Sequence, residues 1–210
     1  MDLFAPAIAA ARWRAIVYLS TVGVYGDHEG AWVDEESAAR TASARGRARL
    51  TAENAWRALG RTINAPVHIL RLAGIYGPGR NALVKMRDGR TQSVVKPGQV
   101  FNRIHVADIA QAIGLAFGAA GQGEIWNVAD DEPAPPQDVA AYAAKLLNLP
   151  PPQEVPFDGA DMTPMARSFY GDNRRVSNAK LKRALGFAPL YPTYREGLRA
   201  LAATGEGRRG

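Results

Sequence analysis

Short apolar runs alternate with longer helical patterns along most of the chain. The runs at residues 15–20, 67–72 and 124–129 carry few polar positions, which is typical of strands buried on both faces of a parallel sheet. Helix formers, apolar residues at the helical period and terminal signals predict helices elsewhere. The predicted helices cover residues 3–13, 42–59, 82–87, 106–117, 136–147, 178–186 and 194–203. Strands that alternate with helices indicate βαβ units, so the pattern predicts an α/β fold with a parallel sheet.

Three stretches lack a regular pattern. Residues 91–103 are mixed, and we expect short strands there. Five of the fourteen prolines lie between residues 150 and 164, so we expect residues 150–172 to form a loop with little regular structure. The Gly-rich residues 205–210 are expected to be frayed.

The composition is that of a globular protein, with 47% hydrophobic and 22% charged residues in a chain of 210. That length suits one domain or one and a half. No apolar run approaches the ~18 residues of a membrane-spanning helix, and the N-terminus lacks the pattern of a secretory signal, so we predict no membrane partner. The absence of cysteine excludes disulfides, a thiol nucleophile and a thiolate zinc site, and it fits a reducing, cytoplasmic location.

The net charge of +6 raises the question of a nucleic-acid partner. The basic residues are spread along the chain without a basic stripe or interleaved aromatics, so we predict no nucleic-acid binding. The histidines, His28, His68 and His105, are scattered and have no carboxylate cluster beside them, so we predict no metal site. The acids at residues 34–36 predict a solvated, charged loop.

Five stretches resemble, in order, the motifs of one protein family. They are residues 18–27 (YLSTVGVYGD), 70–79 (LRLAGIYGPG), 103–110 (RIHVADIA), 126–133 (WNVADDEP) and the closing pair 185–187 and 194–198 (LGF and YREGL). On these motifs the chain resembles the NAD(P)-dependent epimerase/dehydratase family, the extended and atypical short-chain dehydrogenases/reductases. The resemblance spans nearly the whole chain.

The resemblance implies the C-terminal part of a doubly wound, Rossmann-like parallel sheet with a small mixed substrate-side region. Residues 1–130 would be a partial Rossmann-like core with a substrate-side insert at about 74–103, and residues 131–210 a C-terminal substrate-side region. The family opens with a G-x-x-G-x-x-G turn whose backbone N–H groups bind the cofactor diphosphate, and this sequence has no such turn. The cluster Gly74-x-x-Gly77-x-Gly79 precedes no long helix. We therefore expect an N-terminal truncation of roughly 70–100 residues relative to the family.

The family's catalytic Tyr-x-x-x-Lys pair falls on Arg45 and Arg49. In the family the Lys lowers the pKa of the Tyr, whose phenolate exchanges a proton as hydride moves to or from the nicotinamide. Arginine stays protonated and has no acceptor lone pair, so Arg45 cannot be a general base. Arg49 keeps the ability to donate hydrogen bonds to a ribose or a phosphate. The departure indicates an atypical member of the family.

The resemblance assigns roles to further residues. Thr21 falls on the catalytic Ser/Thr, whose hydroxyl bonds the substrate oxygen; the alternative is a cap for the turn after the strand. Tyr25 is the nearest phenol that could replace the missing base, with packing or pocket lining as the alternative. Arg71 lies either near the nicotinamide end or in a buried ion pair. The cofactor-binding candidates are thus Arg49, Arg71, Ala73 and Gly74, and the substrate-binding candidates are Arg45, Tyr76 and His105.

Three functions follow from the resemblance. The first is an NAD(P)-dependent epimerase/dehydratase-like enzyme, with NAD or NADP as cofactor and a nucleotide sugar or a small carbonyl or hydroxyl compound as substrate. The second is a catalytically inactive ligand-binding or regulatory module, which the two arginines and the missing phosphate loop favour. The third is a dimerising remnant that uses the helices at 3–13 and 42–59 in a homodimer. The strand at 15–20 would have an open edge, and we expect dimerisation, a rearranged helix or a neighbouring molecule to cover it.

Overall fold

The computed structural model describes residues 5–89, 92–119, 121 and 123–207. Its strands are β1 (Ile16–Thr21), β2 (Trp32–Val33), β3 (Val67–Leu72), β4 (Gly74–Tyr76), β5 (Gln92–Val95), β6 (Arg103–His105), β7 (Ile125–Val128), β8 (Gln153–Pro156) and β9 (Arg175–Val176). Its α-helices are α1 (Ala5–Ala9), α2 (Ala44–Ile63), α3 (Ala82–Arg87), α4 (Val106–Gly118), α5 (Pro136–Leu146), α6 (Pro164–Ser168), α7 (Ala179–Leu185) and α8 (Tyr194–Ala203). Short 3-10 turns lie at Val22–Tyr25, Phe157–Gly159 and Phe169–Gly171. No helix among these residues is long and apolar enough to cross a membrane.

The centre of the fold is a parallel sheet in which β3 lies between β1 and β7. All six residues of β3 are buried, and helices α2 and α4 both pack on β1 and β3. A mostly apolar run of this kind needs cover on both faces, which helices crossing between parallel strands supply. The arrangement confirms the predicted α/β fold with a parallel sheet.

Strand β1 is an edge strand in the described part of the chain. The Ile16 N–H donates to Pro66 O on the side of β3. Successive residues of a strand point their N–H and C=O groups to opposite sides, so those of Leu19 point away from β3. Arg49 Nη1 donates to Leu19 O there, at 3.2 Å. Cover of this edge by a second copy, and with it the homodimer, stays a prediction.

Two hydrophobic clusters hold the chain together. The first surrounds the central sheet and includes the fully buried Leu70 and Val128. The second lies where α3, α5 and α8 meet and includes Leu83 and Leu198. Because the second cluster takes residues from both sides of position 130, it joins the substrate-side insert to the C-terminal region. The predicted domain division at that position stays a prediction.

The loop predicted for residues 150–172 is wrong in part. Strand β8 pairs with β5 in parallel register, and helix α6 begins at Pro164 behind an N-cap from Thr163. Pro156 is the last residue of β8, and Pro164 occupies the first helical turn, where no backbone donor is needed. The prolines therefore bound these short elements and do not exclude them.

The C-terminal residues are ordered further than predicted. The Glu206 carboxylate accepts hydrogen bonds from Gly79 N–H (2.8 Å) and from the Asn81 side chain (3.2 Å), and Gly207 is buried. The fraying predicted for residues 205–210 is therefore wrong for 205–207, while 208–210 lie outside the described residues. Helix α1 is shorter than the predicted helix at 3–13, of which residues 3 and 4 also lie outside.

Candidate functional site

The three central strands end at one edge of the sheet. Thr21 is in register with Leu72, and Leu72 is in register with Val128. In open parallel sheets, ligands bind beyond the carboxyl ends of the strands. This edge is therefore the candidate site, and the structure places the predicted residue Thr21 directly on it.

A row of polar side chains crosses the sheet one residue before these strand ends. Ser20 of β1 is in register with Arg71 of β3, and Arg71 is in register with Asn127 of β7. Each of these three residues, which we call the polar row, exposes 6% of its surface or less. Buried polar groups are costly without partners. The residues that satisfy the polar row therefore define the floor of the candidate site.

Glu53 of helix α2 supplies the acid for the polar row. Its Oε2 lies 2.8 Å from Arg71 Nη2, and its Oε1 accepts hydrogen bonds from Arg71 Nε and from the Ser20 hydroxyl. The Arg71 and Glu53 side chains expose 6% and 3% of their surface. The structure thus contains the buried ion pair considered for Arg71. The guanidinium of Arg71 is buried against Glu53, and its predicted cofactor contact stays a prediction.

Tyr25 links two members of the polar row. Its ring is fully buried, its hydroxyl donates to Asn127 Oδ1 at 2.8 Å, and the Arg71 guanidinium lies 4.9 Å from its ring centre. Burial raises the pKa of Tyr25, so the phenol stays protonated at neutral pH. The predicted role of Tyr25 as a base is at odds with both observations, and the packing alternative agrees with them.

Glu35 is a site residue that the sequence did not reveal. The predicted solvated loop at residues 34–36 holds for Asp34 and Glu36, which are exposed, but Glu35 exposes only 9% of its surface. Its Oε1 accepts a hydrogen bond from Asn127 N–H at 2.7 Å, and burial raises its pKa. Nothing in the local sequence distinguishes Glu35 from its two acidic neighbours, because the partner belongs to a distant strand.

Thr21 caps the turn that follows β1, and its predicted contact with a substrate oxygen stays a prediction. Its Oγ1 accepts a hydrogen bond from Gly23 N–H at 3.1 Å and so caps the 3-10 turn at Val22–Tyr25. The half-buried hydroxyl has no acceptor for its own proton among the described residues. A threonine hydroxyl can donate and accept at once. The cap therefore fixes the oxygen in place and leaves the proton available to a ligand.

Helix α2 brings its arginines to this edge. Arg40 N–H donates to Tyr25 O, which docks the segment before α2 on the turn that follows Thr21. Arg45, Arg49 and Glu53 are spaced by four residues and so share one helix face. Arg49 donates to the Tyr18 hydroxyl (2.9 Å) as well as to the edge of β1, so its guanidinium is engaged within the protein.

Arg45 differs from Arg49 in having no hydrogen-bond acceptor among the described residues. Its side chain is exposed, and its guanidinium lies 5.2 Å from the ring centre of Phe169. Stacking on a ring occupies the flat face of a guanidinium and leaves the N–H groups at its edge free. Arg45 is therefore a substrate-binding candidate from the sequence that keeps its hydrogen-bond donors available.

The backbone N–H groups of the glycine cluster after β3 are already hydrogen-bonded within the protein. Gly74 N–H donates to Asn102 O, Gly77 N–H to Arg80 O, and Gly79 N–H to the Glu206 carboxylate. A diphosphate cradle needs free backbone donors. This cluster therefore offers no free donors for the diphosphate of NAD(P), and Ala73, which is buried, and Gly74 stay only predicted cofactor contacts. Across the same described ranges, no three His, Asp or Glu side chains gather to hold a metal ion.

Tyr76 and His105 pack against each other in the substrate-side region. Their rings meet edge to face with centres 5.1 Å apart, and both residues are buried. His105 Nδ1 accepts from Ala107 N–H at the start of α4, and the Tyr76 hydroxyl fills the space beside Gly197. Neither ring is hydrogen-bonded to Thr21 in the part of the chain that the structure describes. Their predicted substrate contact is therefore untested, and their observed role is packing.

Asp130, just beyond β7, is a second buried acid that sequence reasoning missed. It exposes 2% of its surface, and its Oδ2 has no partner among the described residues. Arg103 lies near but donates to Phe101 O and Ala134 O. Burial raises the pKa of Asp130 to about 8, so the carboxyl is largely neutral at pH 7. The sequence gives no means to tell it from exposed Asp131 beside it.

Comparison with known sequences identifies relatives. Residues 4–129 match the model of the NAD dependent epimerase/dehydratase family. The chain is 35% identical over 185 residues to Protein YeeZ of Escherichia coli strain K12, covering 87% of this chain and 61% of that protein. It is 31% identical over 144 residues to a 3-diazoavenalumate denitrifying reductase of a Streptomyces species, covering 62% of this chain and 45% of that protein. The chain thus spans about half the length of these curated relatives.

Solved structures share the fold. A functionally unknown conserved protein from Silicibacter pomeroyi is 52% identical, with a TM-score of 0.91 over 98% of this chain and 72% of its own length. The UDP-glucuronic acid 4-epimerase of Bacillus cereus, in complex with UDP-glucuronic acid and NAD, is 20% identical with a TM-score of 0.76. That alignment covers 93% of this chain and 62% of the epimerase. At this identity the second likeness shows the fold alone.

Proposed function

Because the chain belongs to the NAD dependent epimerase/dehydratase family, we propose that it binds a small organic ligand through a carbonyl or hydroxyl oxygen at the carboxyl end of β1. One observation carries the proposal. The Thr21 hydroxyl is fixed by the Gly23 N–H and has its own proton free among the described residues. A hydroxyl held in this way donates to a ligand oxygen without having to reorder first.

A nucleotide sugar is the ligand class that we propose first. The B. cereus epimerase, which shares the fold, binds UDP-glucuronic acid. Such ligands are anionic, and the free N–H groups of Arg45, in the first turn of α2, suit phosphate or carboxylate oxygens. The chain's net charge of +6 favours the same class.

The described residues supply the substrate side of the proposed site. The N–H groups of Gly74, Gly77 and Gly79 are engaged within the protein, so we propose no diphosphate contact for NAD or NADP at this cluster. That the chain is the rear part of a longer fold stays a prediction. The choice between NAD and NADP stays open with it.

Removal of the Thr21 hydroxyl is expected to weaken binding of UDP-glucuronic acid. A hydrogen bond between neutral groups contributes about 0.5–1.5 kcal/mol, so Thr21→Val should raise the Kd by about 2–13-fold. Thr21→Ser keeps the hydroxyl and should bind within about 2-fold of the natural chain. Isothermal titration calorimetry on the three proteins measures these constants. Equal affinity of the valine and serine variants would contradict the proposed role of Thr21.

A second candidate function is reduction by NADH or NADPH, which the reductase among the relatives favours. Arg45 and Arg49 cannot supply the proton that the family takes from tyrosine. If the chain binds either cofactor, a concentration 100-fold above the Kd adds about 2.7 kcal/mol of stability and raises the Tm by about 5–11 °C. Differential scanning fluorimetry at millimolar NADH and NADPH measures this shift. An unchanged Tm with both cofactors would contradict reduction by this chain. Ligand binding without hydride transfer would then be the proposed function.

A further inference from the structure

Residues 157–171, which we call the 157–171 segment, form a stiff unit. Arg167 N–H donates to Thr163 O at 2.9 Å, and Arg167 Nη2 donates to Ala160 O at 2.8 Å. Ala166 N–H donates to the Thr163 hydroxyl. These bonds close within the segment, and helix α6 packs mainly on the 3-10 turn that follows it. The 157–171 segment is therefore held together by itself more than by the rest of the fold.

The base of the 157–171 segment is anchored on the loop after β5. Lys96 Nζ donates to Tyr170 O and lies 5.4 Å from the ring centre of Phe157. The Tyr170 ring meets Phe101 edge to face at 5.2 Å and Phe157 at 5.2 Å. Three aromatic rings and one lysine thus fix the two ends of the segment next to each other, as a hinge requires.

The outer part of the 157–171 segment contacts helix α2 through Phe169. Met165 and Phe169 expose 65% and 52% of their surface. The Arg45 guanidinium lies over the Phe169 ring, 5.2 Å from the ring centre. Arg45 lies in the first turn of α2, and the residues before that turn dock on the 3-10 turn that begins after Thr21. The contact therefore joins the segment to the helix whose preceding residues pack on the turn after Thr21.

We propose that the 157–171 segment is a lid over the Thr21 site and that the Arg45–Phe169 contact is its latch. A unit that is stiff inside, is hinged at its base and makes an exposed contact at its outer end can move as a body when that contact breaks. An exposed cation–π contact is weak, so its loss should raise the open population by about 2–5-fold. The proposal rests on the proposed function for what the lid admits, but its movement can be measured without any ligand.

A single thiol at position 21 tests the lid. The chain has no cysteine, so Thr21→Cys introduces one thiol, whose rate of alkylation by N-ethylmaleimide reports access to the site. We expect Arg45→Gln and Phe169→Leu each to raise that rate by about 2–5-fold, with no further gain when they are combined. Arg57→Gln, on the same helix at an exposed position, should leave it unchanged. An unchanged rate in the two latch variants, or an equal rise with Arg57→Gln, would overturn the proposal.

Hydrogen exchange provides a second test in the chain with its natural Thr21. Faster amide exchange of residues 160–171 in Arg45→Gln and Phe169→Leu, with no change in Arg57→Gln, supports the latch. Unchanged exchange in the first two variants overturns it, even where UDP-glucuronic acid still binds. Equal UDP-glucuronic acid binding by Thr21→Val and Thr21→Ser, together with a normal latch response, would contradict the proposed ligand site alone. The two proposals can therefore fail separately.

Discussion

Replacement of Glu53 by alanine will lower the free energy of unfolding by about 3–5 kcal/mol. The change leaves the Arg71 guanidinium buried without a counter-charge, and it removes the acceptor of the Ser20 hydroxyl. Both groups lie inside the sheet, where the desolvation cost of an unpaired charge is largest. Urea unfolding followed by circular dichroism measures the change.

Two variants separate the lost ion pair from a general effect of substitution. Glu36→Ala removes an exposed acid and should change the free energy of unfolding by less than about 0.5 kcal/mol. The double variant Glu53→Leu with Arg71→Met should recover most of the loss, because apolar residues of similar volume often replace a buried pair without cost. A Glu53→Ala protein within about 1 kcal/mol of the natural chain would show that the pair is solvated in solution.

The carboxyl of Asp130 will make the protein less stable as the pH rises from 4 to 8. Its folded pKa of about 8 lies above the unfolded value of 3.8, so the folded state binds more protons between these values. The stabilising contribution is fully present below pH 4 and is lost as the pH rises to about 8. A pKa unit corresponds to about 1.36 kcal/mol, so the difference across the window should be about 3–5 kcal/mol.

Asparagine at position 130 isolates this contribution. Asp130→Asn keeps the size of the side chain and cannot ionise, so its free energy of unfolding should exceed that of the natural chain more at pH 8 than at pH 5. Asp131→Asn, at the neighbouring exposed acid paired with Lys182, should keep the natural slope between these pH values. Guanidinium unfolding at several pH values provides both slopes. A slope that Asp130→Asn leaves unaltered would mean that the carboxyl is hydrated in the folded protein.

The elements that the sequence predicts well are those specified by local pattern. The strand at 67–72 and the helices at 82–87 and 194–203 have the predicted bounds, because an apolar run or a pair of capping residues marks both ends. Strand β8 was missed because its pairing with β5 is a non-local choice. A strand of four residues that contains proline has little pattern of its own.

The candidate site was predictable only in part. Family motifs place Thr21 at the end of a strand, and the structure agrees. The partners that satisfy the polar row were not predictable, because Glu53 reaches Arg71 across the helix–sheet interface and Glu35 reaches Asn127 from a surface loop. In each case one charged residue among several similar neighbours turns inward, and only the fold decides which one.

The polar row and its acid Glu53 limit which substitutions the protein can accept during evolution. Ser20, Glu53 and Arg71 come from three separate elements, yet each relies on another of the three for a partner. An ancestor that exchanged one of them alone would have carried an unmatched charge or hydroxyl inside its sheet. Substitutions at these positions should therefore occur together. Relatives that lack an acid at the position of Glu53 should also lack a cation at the position of Arg71.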